Sequence, residues 1–178
     1  MGLEINTRYY FPTVLNELNL LERSVEIGVG LGWYSQEFRR LWNGNVHYAV
    51  DAWLDERNGE DQVAGDIRYF KTITDLAFQK KLIIPLRMTS VGAAAVFPNK
   101  FFDFIYIDAA HDYDNVKADI QAWMPKLKDR GIIAGHDIDH HGVRKAVQEY
   151  FKLGDFCETR DTETLEYSAN SWYVTRGI

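Results

Sequence analysis

The sequence predicts an α/β fold: a mostly parallel seven-stranded sheet with helices on both faces and a C-terminal antiparallel strand. Three observations predict it. Short apolar runs alternate with amphipathic segments along the chain, as in successive βαβ units. The run FFDFIYID at 101–108 has hardly a polar residue, which suits a strand covered on both faces. The run VEIGVGLG at 25–32 ends an apolar strand in three alternating glycines, and a second apolar strand then ends in Asp51.

The elements follow in order. Val14, Leu15, Leu18 and Leu21 have helical spacing within 13–21. Residues 24–28 read as the first strand, 34–42 as a helix and 46–51 as the second strand. The charged stretch 55–61 reads as a mobile loop. A helix is expected over 62–80, with Ile67, Phe70, Ile73, Leu76 and Ala77 as its buried stripe. The third strand, 82–88, contains Pro85 and therefore belongs at an edge or an end. A short helix covers 90–97, and the fourth strand covers 101–108. Val116, Ile120, Trp123, Met124 and Leu127 mark the next helix, 131–137 the fifth strand and 143–151 the last helix. Two strand candidates in the tail, 157–160 and 171–175, have no helix between them and read as an antiparallel hairpin. Right-handed crossovers then leave six strands parallel and the last reversed.

The 178 residues suit a single domain, 1–178, with residues 1–23 as an N-terminal helical cover over the site or a partner surface. The formal net charge is −6 and no basic block occurs, so the electrostatic footprint of a nucleic-acid binder is missing. The one cysteine, Cys157, excludes an internal disulfide and a cysteine-based zinc site. No stretch reads as a secretory signal or a membrane span, so a cytoplasmic location without membrane association is expected.

The chemistry gathers at strand ends, where ligands bind in open α/β sheets. Gly28, Gly30 and Gly32 allow a backbone to come close to a ligand, and Asp51 can accept hydrogen bonds from ribose hydroxyls. A dinucleotide fingerprint, G-x-G-x-x-G, fails here because Trp33 stands at its third glycine. Glu26, two residues before the first glycine, favours a cationic ligand over a phosphate. S-adenosylmethionine carries an ammonium, a sulfonium and a ribose, and no phosphate.

At E-x-G-x-G-x-G the chain resembles the class I, Rossmann-like methyltransferases that use S-adenosylmethionine. Residues 101–137, FFDFIYIDAAHDYDNVKADIQAWMPKLKDRGIIAGHD, are similar to a subgroup of small-molecule (sugar and natural-product) O-methyltransferases with an Ile-Asp-x-x-His motif. The resemblance spans about 24–151. It implies that Gly28, Gly30 and Gly32 line the methionine part of the cofactor, joined at the same site by Glu26 and Asp108. It implies that Asp51 holds the ribose and that Ser90 lies near the adenine. It further implies that Asp108 and Asp137 bind Mg²⁺ in metal-dependent members, and that His111 is a general base. His136 is a departure, standing where such members often carry a carboxylate or an amide. Mg²⁺ prefers oxygen ligands; either His136 leaves the shell, or the ion is softer, such as Mn²⁺, or no metal binds.

The expected activity is methyl transfer from S-adenosylmethionine to a small-molecule hydroxyl, with Asp108, His136 and Asp137 as the candidate metal set and His111 with Asp108 as the catalytic pair. An imidazole titrates near neutrality, as a base for this step should. Competing readings remain open. Another acceptor (an amine, a carboxylate or a macromolecule) keeps the same cofactor, although Asp-Ala-Ala-His at 108–111 argues against the Pro-Pro-Tyr pattern of nitrogen methylation. A non-catalytic binding module keeps the fold alone, and Trp33 disfavours a nicotinamide oxidoreductase. Strand-end acids also serve as helix N-caps, the plainer role for Asp112 and Asp114. Asp139, His140 and His141 read as a solvated or substrate-facing loop. Trp33, Tyr34, Trp53, Tyr113 and Trp172 are candidate pocket walls, and Trp123 is a core residue. With few insertions, the pocket is expected to be open or completed by a second copy in a homo-oligomer.

Overall fold

A computed structural model of the chain describes residues 4–54, 61–78, 81–152, 154–159 and 170–178. Its strands are β1 (Arg23–Ile27), β2 (Val46–Asp51), β3 (Ile83–Arg87), β4 (Phe102–Ile107), β5 (Leu127–Gly135), β6 (Cys157–Glu158) and β7 (Trp172–Arg176). They form one sheet in the order β3-β2-β1-β4-β5-β7-β6. β1 to β5 pair in parallel, β7 runs antiparallel to β5, and β6 runs antiparallel to β7. Six strands therefore share one direction and β7 opposes them, as the alternation of elements predicts. β3 lies at the edge, where Pro85 withholds no donor from an inner ladder. The strand order reverses between β2–β1 and β4, and the crevice at that switch point lies above β1.

The helices are α1 (Phe11–Glu17), α2 (Trp33–Leu41), α3 (Gln62–Ala77), α4 (Ser90–Val96), α5 (Tyr113–Trp123) and α6 (His141–Phe151), with a 3-10 turn at Arg8–Tyr10 and another at Met124–Lys126. None is long and apolar enough to cross a membrane. Every residue of β4 is buried, and its alternation feeds two cores. Phe102, Ile105 and Ile107 pack with Ala93, Ile120, Trp123 and Val147 of α4, α5 and α6. Phe104 and Tyr106 pack on the other face with Phe11, Val14 and Leu15 of α1 and with Phe38 of α2. The rings of Phe38 and Phe104 stack at 5.3 Å with planes 8° apart. Asp61 and Asp112 cap α3 and α5, accepting the N–H groups of Ala64 (2.8 Å) and Asn115 (3.1 Å).

The structure corrects two readings of helical pattern. Leu127 opens β5 instead of closing a helix, because α5 ends at Trp123 and the turn containing Pro125 redirects the chain. In α3 the buried residues are Gly65, Thr72 and Leu76, whereas Ile67 and Phe70 are exposed. The cause is close approach: a Cβ on Gly65 would lie 2.2 Å from the Trp53 carbonyl oxygen. The small residues of α3 must face the turn after β2, which rotates the apolar stripe outward. The loop expected over 55–61 falls, except for Asp61, outside the described residues.

Two buried polar clusters position the strands. At the amino ends, Asp103 of β4 accepts the N–H groups of Glu22 (2.7 Å) and Arg23 (2.9 Å) with one oxygen and the Lys128 ammonium (2.8 Å) with the other. Nearer the carboxyl ends, Ser24 of β1 bonds Nδ1 of His47 on β2 (2.9 Å), and Nε2 of His47 meets Ser35 of α2 (3.2 Å). Ser35 in turn donates to Glu26 of β1. Burial, with the Arg39 cation nearby, pulls the His47 imidazole down to about 3, so it stays neutral. Burial pushes the Glu26 carboxyl up to about 8, against the Ser35 hydrogen bond that lowers it.

Two measurements test these clusters. Asp103→Ala leaves two strand N–H groups and a lysine without their acceptor and should cost about 3 kcal/mol in urea unfolding; a loss under about 1 kcal/mol would show that the brace contributes little. Glu26 holds its proton in the folded chain, whereas the unfolded chain loses it near 4.5. The stability it contributes is therefore complete below that pH and drains as pH rises towards about 8. Wild-type stability should fall relative to Glu26→Gln across this window, with a slope approaching about 1.4 kcal/mol per pH unit. Parallel pH profiles would show that Glu26 ionises freely.

Candidate functional site

The glycine run after β1 forms a turn that only glycine permits. Gly28 has φ +88°, and a Cβ there would lie 2.0 Å from the carbonyl oxygen of Asp108. Gly30 has φ +55° with open space where a Cβ would stand. Its N–H donates to Asp51 (2.8 Å), and its carbonyl accepts from the Trp53 indole (2.9 Å) and the Thr72 hydroxyl (2.9 Å). The other oxygen of Asp51 accepts the Trp53 N–H at 2.6 Å. Trp53 holds φ +47°, a strained value for a bulky residue, and its indole is fully buried. The turn is thus tied from β2 and α3 together.

Above it opens a cleft of about 540 Å³, within the range of roughly 300–1,000 Å³ usual for small-molecule sites. The structure brings Gly28, Gly30, Asp51, Ser90 and Asp108 onto its walls. Ala52, Leu54 and Met88 add apolar surface. Each oxygen of Asp51 makes one hydrogen bond to backbone and keeps accepting capacity for a diol. Two carboxylates, a glycine turn and apolar walls suit a nucleoside with a cationic tail, since the charge of a pyrophosphate would meet Asp51 and Asp108.

At the cleft's inner end, Asp108 meets a second group. His111 Nε2 lies 2.8 Å from Asp137 Oδ2, and His136 Nδ1 lies 3.1 Å from that oxygen and 3.7 Å from Asp108 Oδ1. Burial raises Asp108 to about 6, with Glu26 and Asp137 adding to the rise while His136 and Arg8 oppose it. For Asp137 burial also raises, but the hydrogen bonds from His111 and His136 win and hold the carboxyl well below the usual range. Asp137 sits at φ +56°, a strained turn that aims its carboxylate back across the strand ends. Ligand atoms of Asp108, His111 and Asp137 all lie within 4.8 Å of one another. Two carboxylates and an imidazole are a donor set that fits Mn²⁺ or an oxygen-rich Mg²⁺ shell. That grouping takes in His111, whereas His136 bonds Asp137 and stays 3.7 Å from Asp108.

Some predicted site residues lie elsewhere. Glu26 is buried beneath the turn in the serine–histidine cluster and is not a wall of the cleft, because its strand position points it to α2. Gly32 is the N-cap of α2 at φ +77° and also lies off the cleft. Of the expected aromatic walls, Trp172 lines a small recess with Asp108, His111 and His136; Tyr34 and Trp53 are core residues, Tyr113 bonds Glu149, and Trp33 is 74% exposed. Trp123 is buried, as its stripe predicts.

Two residues went unread. Arg8, in the 3-10 turn before α1, places Nη1 3.3 Å from Asp108 Oδ2, with its guanidinium 5.3 Å from the ring centres of Tyr9 and Tyr34. No local pattern links residues so far apart in the chain. Asp119 of α5 lines the cleft although only 4% exposed. Its signal was an acid on the apolar stripe Val116–Ile120–Trp123.

The chain spans about a tenth of the length of a curated relative, the uncharacterized protein y4gI of Sinorhizobium fredii (strain NBRC 101917 / NGR234), with 31% identity over 98 residues, 53% of this chain and 10% of that one. Among solved structures, a Corynebacterium glutamicum protein superposes with TM-score 0.66 at 12% identity, covering 100% of this chain and 84% of its own. A Geobacter sulfurreducens methyltransferase gives 0.61 at 14% identity, covering 97% and 80%. An rRNA methylase from Streptococcus thermophilus gives 0.62 at 13%, covering 88% and 87%. At such identities these structures establish the fold alone. The family model described as a methyltransferase domain matches residues 25–138, which run from β1 and its glycine turn to just past Asp137, and the chain belongs to that family.

Proposed function

We propose that this protein transfers a methyl group from S-adenosylmethionine to a hydroxyl of a small molecule. The observation that carries the reading is the position of Asp108. It is both a wall of the nucleoside-sized cleft and a member of the cluster with His111, His136 and Asp137. A donor bound in the cleft would therefore present its methyl group beside a base and two acids.

The sulfonium is an activated donor, so most of the rate comes from aligning the acceptor oxygen with the methyl carbon. The glycine turn and Asp51 fix the nucleoside. An alcohol is a weak nucleophile until its proton leaves. His111 is the base, and Asp137 at 2.8 Å orients its ring and stabilises the charge it acquires. A divalent cation held by Asp108 and Asp137, with the His111 ring left to take the proton, would lower the acceptor's pKa at the same place. Arg8 sets a fixed cation against Asp108, so an ion there shares that carboxylate with a guanidinium. The lack of a basic run in the sequence favours a small acceptor over a nucleic acid. A location in the cytoplasm and assembly as a homo-oligomer belong to the same proposal.

Calorimetric titration tests the cofactor. S-adenosylmethionine should bind in the micromolar range and NAD should not, with and without Mg²⁺ or Mn²⁺; NAD binding, or no binding of S-adenosylmethionine, would sink the reading. Asp51→Ala should weaken S-adenosylmethionine by at least about tenfold, two charge-assisted hydrogen bonds being lost.

Turnover, followed as S-adenosylhomocysteine release in a screen of phenols and sugars, tests the base. His111→Ala should lower kcat by about a hundredfold or more while cofactor affinity stays within about twofold. Full turnover in that variant would remove His111 from the mechanism.

A further inference from the structure

Four of the five tryptophans are fully buried, and an indole N–H taken out of water needs an acceptor. Three have one within the protein. Trp42 donates to the Leu20 carbonyl at 3.0 Å, Trp53 to that of Gly30 at 2.9 Å and Trp123 to the Ser90 hydroxyl at 2.9 Å. The Trp172 indole N–H meets no acceptor among the described residues, although Trp172 is 0% exposed. Buried donors in folded proteins are paired in the great majority, with protein or with ordered water. Trp172 therefore points to a partner from outside the chain.

The fold sets this donor beside a recess. Trp172 opens β7 and pairs in register with Gly135, the last residue of β5. Its indole lies across that glycine: a Cβ on Gly135 would stand 2.6 Å from Trp172 Nε1 and 2.7 Å from the Ile107 carbonyl oxygen. The nitrogen edge of the ring is thus held over the carboxyl ends of β4 and β5, and Phe151 of α6 packs against the ring at 5.7 Å. The recess there is walled by Trp172, Asp108, His136, Val116 of α5 and Val143 of α6. It measures about 10 Å³, close to the room that one water needs and far too little for an organic ligand.

Chemistry narrows the occupant. It must accept a hydrogen bond from Nε1, which a metal cation does not do. It must sit beside the Asp108 carboxyl, which disfavours an anion. The other polar walls want hydrogen bonds as well: Asp108 accepts, and His136, with Nδ1 3.1 Å from Asp137, keeps Nε2 for a further bond. Cavities that stay dry are apolar, whereas this one has a polar group from the end of each of three neighbouring strands. We propose that the recess binds one water molecule, held by the Trp172 indole N–H and bridging β7 to the Asp108–His136 pair. The site belongs to the chain without ligand and does not depend on which cofactor the cleft holds. It ties the one reversed strand that touches β5 to the acids at the carboxyl rim.

The test uses the full chain without ligand. A crystal structure should show one water oxygen about 2.7–3.2 Å from Trp172 Nε1 and at a similar distance from Asp108 or His136. In solution, the Trp172 indole proton should give a direct cross-peak to water in rotating-frame NMR. The Trp42 indole proton, bonded to a backbone carbonyl, is the dry control and should give none. Trp172→Phe keeps an aromatic ring and removes the donor, so the water should be lost from its recess. Crystals with no water at Nε1, with Nε1 bonded to a protein group, or a Trp172 proton as dry as that of Trp42 overturn the proposal. So does a water that keeps its place in Trp172→Phe. The wild-type measurements decide the matter even if the variant does not fold, and either outcome leaves the S-adenosylmethionine reading to its own titration.

Discussion

At the switch point, the backbone of Gly28 passes so near the Asp108 carbonyl that no side chain fits between them. The rest of the site depends on that approach. It lets β1 and β4 stay paired to their last residues, and it carries the glycine turn and the Asp108 carboxyl into one space. The Asp108 N–H bonds the Ile27 carbonyl at 2.7 Å, and the Gly28 N–H bonds that of Val50 at 2.9 Å. Three strands are thus closed at their carboxyl ends by backbone alone. Side chains then have only to decorate a frame already fixed.

That frame explains which features could be read in the chain. Elements governed by local rules are visible in the residues: Val46–Asp51 as a strand, Pro85 on an edge strand, Asp112 as a cap, the buried run of β4. The glycine spacing is visible as well, because positive φ is a local demand on residue type. What was hidden depends on distance in the chain. Hydrophobicity alone misplaced the inner face of α3, since the deciding contact is a missing Cβ at Gly65 against the carbonyl of Trp53. The aromatics were misjudged for a related reason: a tryptophan beside a ligand turn is as useful for anchoring that turn, as Trp53 does, as for walling a pocket. Arg8 and Asp119 reach the site through tertiary folding, and only the odd charge of Asp119 within an apolar stripe hinted at it.

The site divides its charges by role. Asp51 is braced by two backbone N–H groups and faces the open cleft. Asp137 is overcompensated by two imidazoles and stays ionised. Asp108 stands between them, raised by burial and steadied by Arg8 and His136. Glu26, below all three, keeps its proton and so spares the cleft a further negative charge. Similar carboxyl groups thus carry four different electrostatic duties, set by neighbours and not by residue type.

β4 carries Asp103 at one end and Asp108 just past the other, about 17 Å of extended chain apart. The first ties the sheet's lower rim and the second lines the cleft at its upper rim. Robustness and chemistry therefore occupy opposite ends of a single buried strand. The upper rim can change in sequence while the lower rim goes on holding the strands in place.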